Sequence, residues 1–249
     1  LFFAFLFASI SEKLSNKKGK VFFYSLAFIV IVFFCGLRFF VGNDYTNYYY
    51  NFNTISIYNL SFIEQLWEPA IYLLTQFFKN SKIGYFFFLF TCTLITYIFI
   101  FKVLLYNKIL KWGIFFIFTL GFLIMANDQV RQAIALSIFL FSIKYIEQNN
   151  FKKYLIWILI ASLFHYSAIG LIFVFFLKNI KLNSFLWVLL IILSYVGFQL
   201  GFFYNLIFAL IEKIPFYGEI YSSNERFFDI DQSGSGLSVL FKTIVSLFV

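Results

Sequence analysis

LKWGIFFIFTLGFLIMA, Leu110 to Ala126, runs into Asn127-Asp128-Gln129-Val130-Arg131-Gln132 and then into AIALSIFLFSIKYI, Ala133 to Ile146. Two almost wholly apolar runs thus flank a hexad that carries a carboxylate, a guanidinium and three amides. A helix needs about 20 residues, at about 1.5 Å each, to cross the hydrocarbon of a bilayer. The runs therefore read as membrane helices, with the hexad at or near the membrane boundary. A charge near mid-bilayer costs roughly 2.5 to 3.5 kcal/mol on insertion scales, and such residues mark pathways and sites. The hexad is the first candidate for function.

The composition extends this reading to the whole chain. Apolar residues make up 62% of it, aromatic residues 25% and charged residues 12%, and Phe alone supplies 42 of 249 residues, which excludes an ordinary soluble domain. Lone strands cannot satisfy their backbone groups in lipid, and the alternation of a membrane barrel is absent. The fold class that follows is all-α, a polytopic helical integral membrane protein. Residues 1–249 read as a single transmembrane domain that looks truncated at both ends, with 38–66 and 212–235 as polar extramembrane loops. Leu1 to Ile10 reads as the tail of a first span, because no basic n-region or cleavage site accompanies it.

Lysine placement orients the spans. Lys13, Lys17, Lys18 and Lys20 put the first connection on the cytoplasmic side, and Val21 to Leu37 leads outward. A Tyr- and Asn-rich stretch follows to Gln65, and Trp67 to Phe78 is a helix too short to cross, re-entrant or interfacial on the outer face. Ile83 to Phe101 leads inward to Lys102, Lys108 and Lys111, and Trp112 to Ala126 leads outward, which makes the hexad external. Val130 to Ile146 returns to Lys152 and Lys153, and Tyr154 to Leu177 leads outward with His165 at its middle. Phe185 to Ile211 is one long span or a hairpin interrupted near Gly197, Gln199 and Gly201.

The net charge of +8 reflects these connecting lysines and does not imply nucleic acid. Cys35 and Cys92 lie in apolar spans, where packing is their expected role. With one histidine and no Gly-rich phosphate loop, the chain offers no zinc set and no nucleotide cradle. Asp229-Ile230-Asp231 is too short a match to assign a metal. No metal and no cofactor are expected.

Four polar constellations remain. Arg38, followed by Gly42-Asn43-Asp44-Tyr45, can hold an anionic head group through its planar fork, with Asp44 as a proton acceptor; the alternative is a snorkelling Arg and an Asx turn. Glu68, before Pro69, either favours the helix N-terminus electrostatically or carries a carboxylate into a cavity for acid–base work. Asp128, Arg131 and Gln132 share one face if the hexad is helical, and either neutralise one another or bind substrate. His165, before Tyr166 and Ser167, is a hydrogen-bonded core histidine or a proton carrier.

Arg38 with Gly42-Asn43-Asp44-Tyr45 and Tyr48, then Glu68-Pro69, then Asn127 through Ala135, then His165-Tyr166-Ser167-Ala168, follow in order the pattern of the EpsG family, which is grouped with the Wzy-type O-antigen and capsule polymerases of bacteria. The resemblance runs from about Leu37 to Ala168. Gly42-Asn43-Asp44-Tyr45 stands where the family usually has Gly-Thr-Asp-Tyr, and keeps the acid and the aromatic. The resemblance implies a multi-pass, GT-C-like glycosyltransferase of the bacterial cytoplasmic membrane, metal-independent. It would join oligosaccharide repeat units carried on undecaprenyl pyrophosphate at the outer face, beside a chain-length regulator and a flippase.

Within that frame, Arg131, His165, Glu68 and Asp44 are the expected catalytic residues. Arg38, Tyr45, Tyr48, Asn127, Gln129, Gln132 and Arg226 are the expected substrate ligands, and Tyr45, Tyr48, Tyr49 and Tyr50 can stack on sugar rings. Two other readings stay open: a transporter or flippase for lipid-linked sugars, and a non-catalytic component of an export complex.

Overall fold

The computed structural model describes residues 2–42, 44–54, 68–180 and 183–199, all of whose regular elements are helical. The described residues fall into two units, one within Leu1–Asn179 and the other within Ile180–Val249. The second contributes one helix, Ser184–Gln199, over the first part of the expected span from Phe185 to Ile211. Gly201, Arg226, Asp229, Asp231 and the 212–235 loop lie outside the described residues, as do Asn43 and Trp67.

In the first unit, α1 (Phe2–Lys13) and α2 (Lys17–Gly36) form a helical hairpin. Asn16 caps α2 by accepting from the Lys18 amide at 3.1 Å, and the Ser11 hydroxyl donates to the Lys20 carbonyl at 3.0 Å. Ala4, Ala8 and Ala27 are buried; small residues let helices approach closely where lipid gives no hydrophobic drive. Next come α3 (Tyr45–Thr54), α4 (Pro69–Phe78) and α5 (Gly84–Tyr106). Half of the most apolar stretch of α5 is buried, against 28% for α2, which makes α5 the central helix. One core packs its side chains against α1, α2 and the helices Leu110–Thr119 and Phe122–Asp128, and another packs them against α3, α4 and the helices Val130–Glu147 and Phe151–Ser162.

Among the described residues, two helices, α2 and α5, are long and apolar enough to cross a membrane, and a third span is present if the bent pair α6 (Leu110–Thr119) and α7 (Phe122–Asp128) is one broken span. The expected span from Trp112 to Ala126 is built of two helices that meet at a bend of 64°. Gly121 sits at the bend with φ +76, a left-handed conformation that glycine adopts without the Cβ clash. The next helix, α8 (Val130–Glu147), has 18 residues, interrupted by Arg131, Lys144 and Glu147.

Three expectations are corrected. The 38–66 stretch is not loop throughout, since α3 forms within it. The hexad is not one helix: α7 ends at Asp128 and α8 begins at Val130, with Gln129 between them at φ −102, ψ 62. The run from Tyr154 to Leu177 is not one span. It divides into α9 (Phe151–Ser162), a 3-10 helix (Tyr166–Phe173) and α10 (Val174–Leu177).

These last pieces fold back as a hairpin with His165 at its tip. The Tyr154 hydroxyl donates to the Leu171 carbonyl at 2.5 Å, the Phe151 and Phe175 rings lie 5.0 Å apart, and Lys178 Nζ donates to Asn149 Oδ1 at 2.5 Å. Asn149 and Lys178 therefore sit at the same end, and the segment leaves on the side where it entered. The break is local: α9 ends at Ser162, and the extended backbone of His165, at φ −158, ψ 115, separates it from the 3-10 helix.

Candidate functional site

Glu68 is placed by backbone chemistry on both sides. Pro69 takes the first position of α4, where its missing N–H costs no hydrogen bond, and the Ala70 amide donates to the Leu163 carbonyl at 3.0 Å. That bond ties the start of α4 to the end of α9, two residues before His165. The Glu68 side chain makes no capping bond to its own helix. It is directed instead between two partners distant in sequence. Glu68 Oε2 lies 2.8 Å from Arg131 Nη1, and Glu68 Oε1 lies 2.8 Å from His165 Nδ1.

Burial differs sharply among the three. The Glu68 side chain is 3% exposed, that of His165 22% and that of Arg131 30%. The carboxylate is thus enclosed while the two groups it holds keep an accessible side. Burial raises the Glu68 carboxyl, but the hydrogen bond from His165 and the Arg131 charge outweigh it and hold the group below its usual range. An ionised Glu68 accepts the proton on His165 Nδ1, which fixes the tautomer with a free lone pair on Nε2.

Arg131 occupies the first turn of α8, anchored by the buried run Val130, Ala133, Ile134 and Ala135. Its Nε donates to the Tyr48 hydroxyl at 3.3 Å, and its guanidinium carbon lies 5.9 Å from the Tyr48 ring centroid. Tyr48 and Tyr45 are both buried in the core under the site. Of the four tyrosines expected to stack on sugar rings, Tyr49 and Tyr50 are the exposed ones.

Arg38 differs from Arg131 in its partners. It is 7% exposed, its Nη1 donates to Asn127 Oδ1 at 2.6 Å, and its buried Nε meets no acceptor. The alternative of a snorkelling Arg is corrected by that burial. Asn127 belongs to α7, so this bond joins the end of α2 to the joint between α7 and α8. Gly42 closes the same corner, where its φ is +105 and a Cβ would stand 2.5 Å from Asp128 Oδ1.

The other expected site residues lie apart from the Glu68 cluster. Asp44 precedes α3 and accepts from the Asn47 side-chain Nδ2 at 3.4 Å. Gln129 and Gln132 are exposed, and the break at Gln129 removes the shared helical face expected of Asp128, Arg131 and Gln132. Tyr85 is a residue that sequence reading missed. Its hydroxyl donates to the Tyr45 carbonyl at 2.9 Å and its ring packs edge-on against Tyr45 and Tyr49; nothing in an apolar helix sequence singles it out.

The geometry thus offers an oriented imidazole, an accessible guanidinium held beside it, and a second guanidinium whose hydrogen-bond partner among the described residues is a neutral amide. No curated protein and no solved structure matches the chain. Residues 21–249 match the EpsG family, nearly the whole length and including every residue of this cluster, so the chain belongs to the EpsG family.

Proposed function

We propose that the protein is a membrane polymerase that joins oligosaccharide units carried on a polyprenyl pyrophosphate into exopolysaccharide, capsule or O-antigen. The family supports a polysaccharide polymerase role, and the carrying observation is the clamp of Glu68 on His165 and Arg131. In this reading the substrate enters from the outer face of the bacterial cytoplasmic membrane, opposite the lysine-rich end.

The chemistry needs a base at the acceptor and cations at the leaving group. His165 Nε2 takes the proton from the acceptor hydroxyl as its oxygen bonds to the donor's anomeric carbon. The bond from that carbon to the pyrophosphate oxygen breaks, and its electron pair leaves with the lipid pyrophosphate. Arg131 and Arg38 stabilise that anion, the term that usually dominates such catalysis. Glu68, enclosed and already engaged by both neighbours, is the positioning residue here and not the base. Asp44, Gln129, Gln132 and Arg226 remain proposed contacts to the sugar or head group. The resemblance to GT-C enzymes and an assembly with a flippase and chain-length regulator belong to the same proposal.

The test is chain growth by the purified full chain on lipid-linked repeat units. Polymer should form with wild type and fall by on the order of 10²- to 10³-fold with Arg131→Ala; undiminished polymerisation by that variant overturns the reading. In cells lacking the protein, single repeat units should accumulate on the outer face. Accumulation on the inner face would favour a flippase instead.

A further inference from the structure

At the lysine-rich end, the last turns of α5 and α8 line a small open cleft of about 80 Å³. Its polar lining comes from Lys102, Tyr106 and Asn107 of α5 and from Lys144 and Glu147 of α8; its apolar lining is Val103, Leu140 and Ile143. Phe141 forms the wall between the two lysines. Lys144 Nζ lies 3.7 Å from the Phe141 ring centroid and Lys102 Nζ lies 5.6 Å from it. The ring is itself fixed by edge contacts to Phe99 and Trp157, at 5.4 and 4.9 Å between centroids.

Two ammonium groups are thus held over one immobile ring, and neither forms an ion pair with a described carboxylate, since both ion pairs among the described residues are at Glu68. Glu147 brings one negative charge against two positive ones. The Asn107 amide is already used, donating to the Val103 carbonyl at 3.0 Å. A lysine near a helix C-terminus also offsets the macrodipole. That accounts for cations at these two ends, but not for an open cleft lined by both cations together with Val103, Leu140 and Ile143.

We propose that this cleft seats an anionic phospholipid, with its phosphate at the outer side of the Lys102 and Lys144 ammonium groups and its acyl chains along Val103, Leu140 and Ile143. Basic pockets between membrane helices bind such head groups, and the apolar wall selects a lipid over free phosphate. The site is independent of the polymerase reading.

The test is native mass spectrometry of the purified full chain in detergent, titrated in turn with phosphatidylglycerol, phosphatidylcholine and inorganic phosphate. Phosphatidylglycerol should be retained roughly tenfold or more tightly than phosphatidylcholine. Lys102→Gln with Lys144→Gln should abolish the preference, whereas Lys102→Arg with Lys144→Arg should keep it. Equal retention of both lipids, an unchanged preference in the double Gln variant, or binding of inorganic phosphate in place of lipid each overturns the proposal. Lys17→Gln with Lys18→Gln, which removes the same charge outside the cleft, should leave the preference intact. If this control abolishes it as well, general surface charge is responsible and the cleft is not.

Discussion

The two ends of the first unit handle charge in opposite ways. At the arginine end, Arg131, Glu68 and His165 satisfy one another through hydrogen bonds across 63 and 97 residues of sequence. At the lysine end, Lys102, Lys144, Lys153 and Lys178 lie over aromatic rings. A charge taken out of water needs a partner that is itself fixed, because an unpaired buried ion costs several kcal/mol. A lysine at the interface needs only an apolar surface along its stem and access to water for its head. Under the proposed function the first arrangement orients groups for chemistry and the second marks the cytoplasmic face.

The comparison breaks most decisively at the hairpin tip. His165→Ala should lower polymer growth by about 10²- to 10⁴-fold with little change in binding of the lipid-linked unit, read from chain-length distributions and a binding titration. A defect in binding alone would return His165 to a structural role.

The two arginines allow a sharper contrast within the same end. Arg131→Met leaves Glu68 buried without its cation. It should destabilise the protein by about 2 kcal/mol, reduced from the fully buried case because the guanidinium is partly solvated. Arg38→Met removes a buried charge that has no carboxylate partner among the described residues and should be neutral or stabilising while weakening substrate binding. Thermal unfolding in detergent reads both, and equal destabilisation by the two would erase the distinction drawn between them.

Gly42→Ala should cost about 1 to 3 kcal/mol, because a positive φ is combined with contact against Asp128. Unfolding at the same pH as wild type tests it, and a neutral result would mean that the corner relaxes freely.

Acid should act through Glu68. Its carboxyl is depressed in the folded protein, so the stability it contributes is present above the ordinary glutamate range. That contribution is lost as pH falls through the depressed folded value. Glu68→Gln should flatten this part of the stability profile; a profile unchanged by the substitution would argue against an ionised Glu68. The smallest effect is expected at the other end, where Lys144→Gln should change stability by no more than about 0.5 kcal/mol.

Much of the candidate site was legible as separate residues. Arg38, Glu68, Arg131 and His165 stand out because a charge beside an apolar run needs a reason. Their pairing was not legible, since Glu68 reaches Arg131 and His165 only when α4, α8 and α9 are packed. The hexad misled for a local reason: i, i+3 spacing brings side chains together only within one helix, and Gln129 interrupts it. The hairpin at His165 was hidden because an apolar run long enough to cross a bilayer looks the same whether it crosses or doubles back.

By itself the sequence determined that the chain is helical, that membrane-length apolar segments alternate with lysine-bearing connections, and that it resembles the EpsG family. These are properties of composition, run length and residue order, which need no knowledge of what touches what. Tertiary structure alone decided which cation meets the buried carboxylate, which arginine lacks one, and where the chain turns back. Those outcomes depend on contacts between groups tens of residues apart, and on single backbone angles at Gly121, Gln129 and His165 that apolar periodicity does not encode.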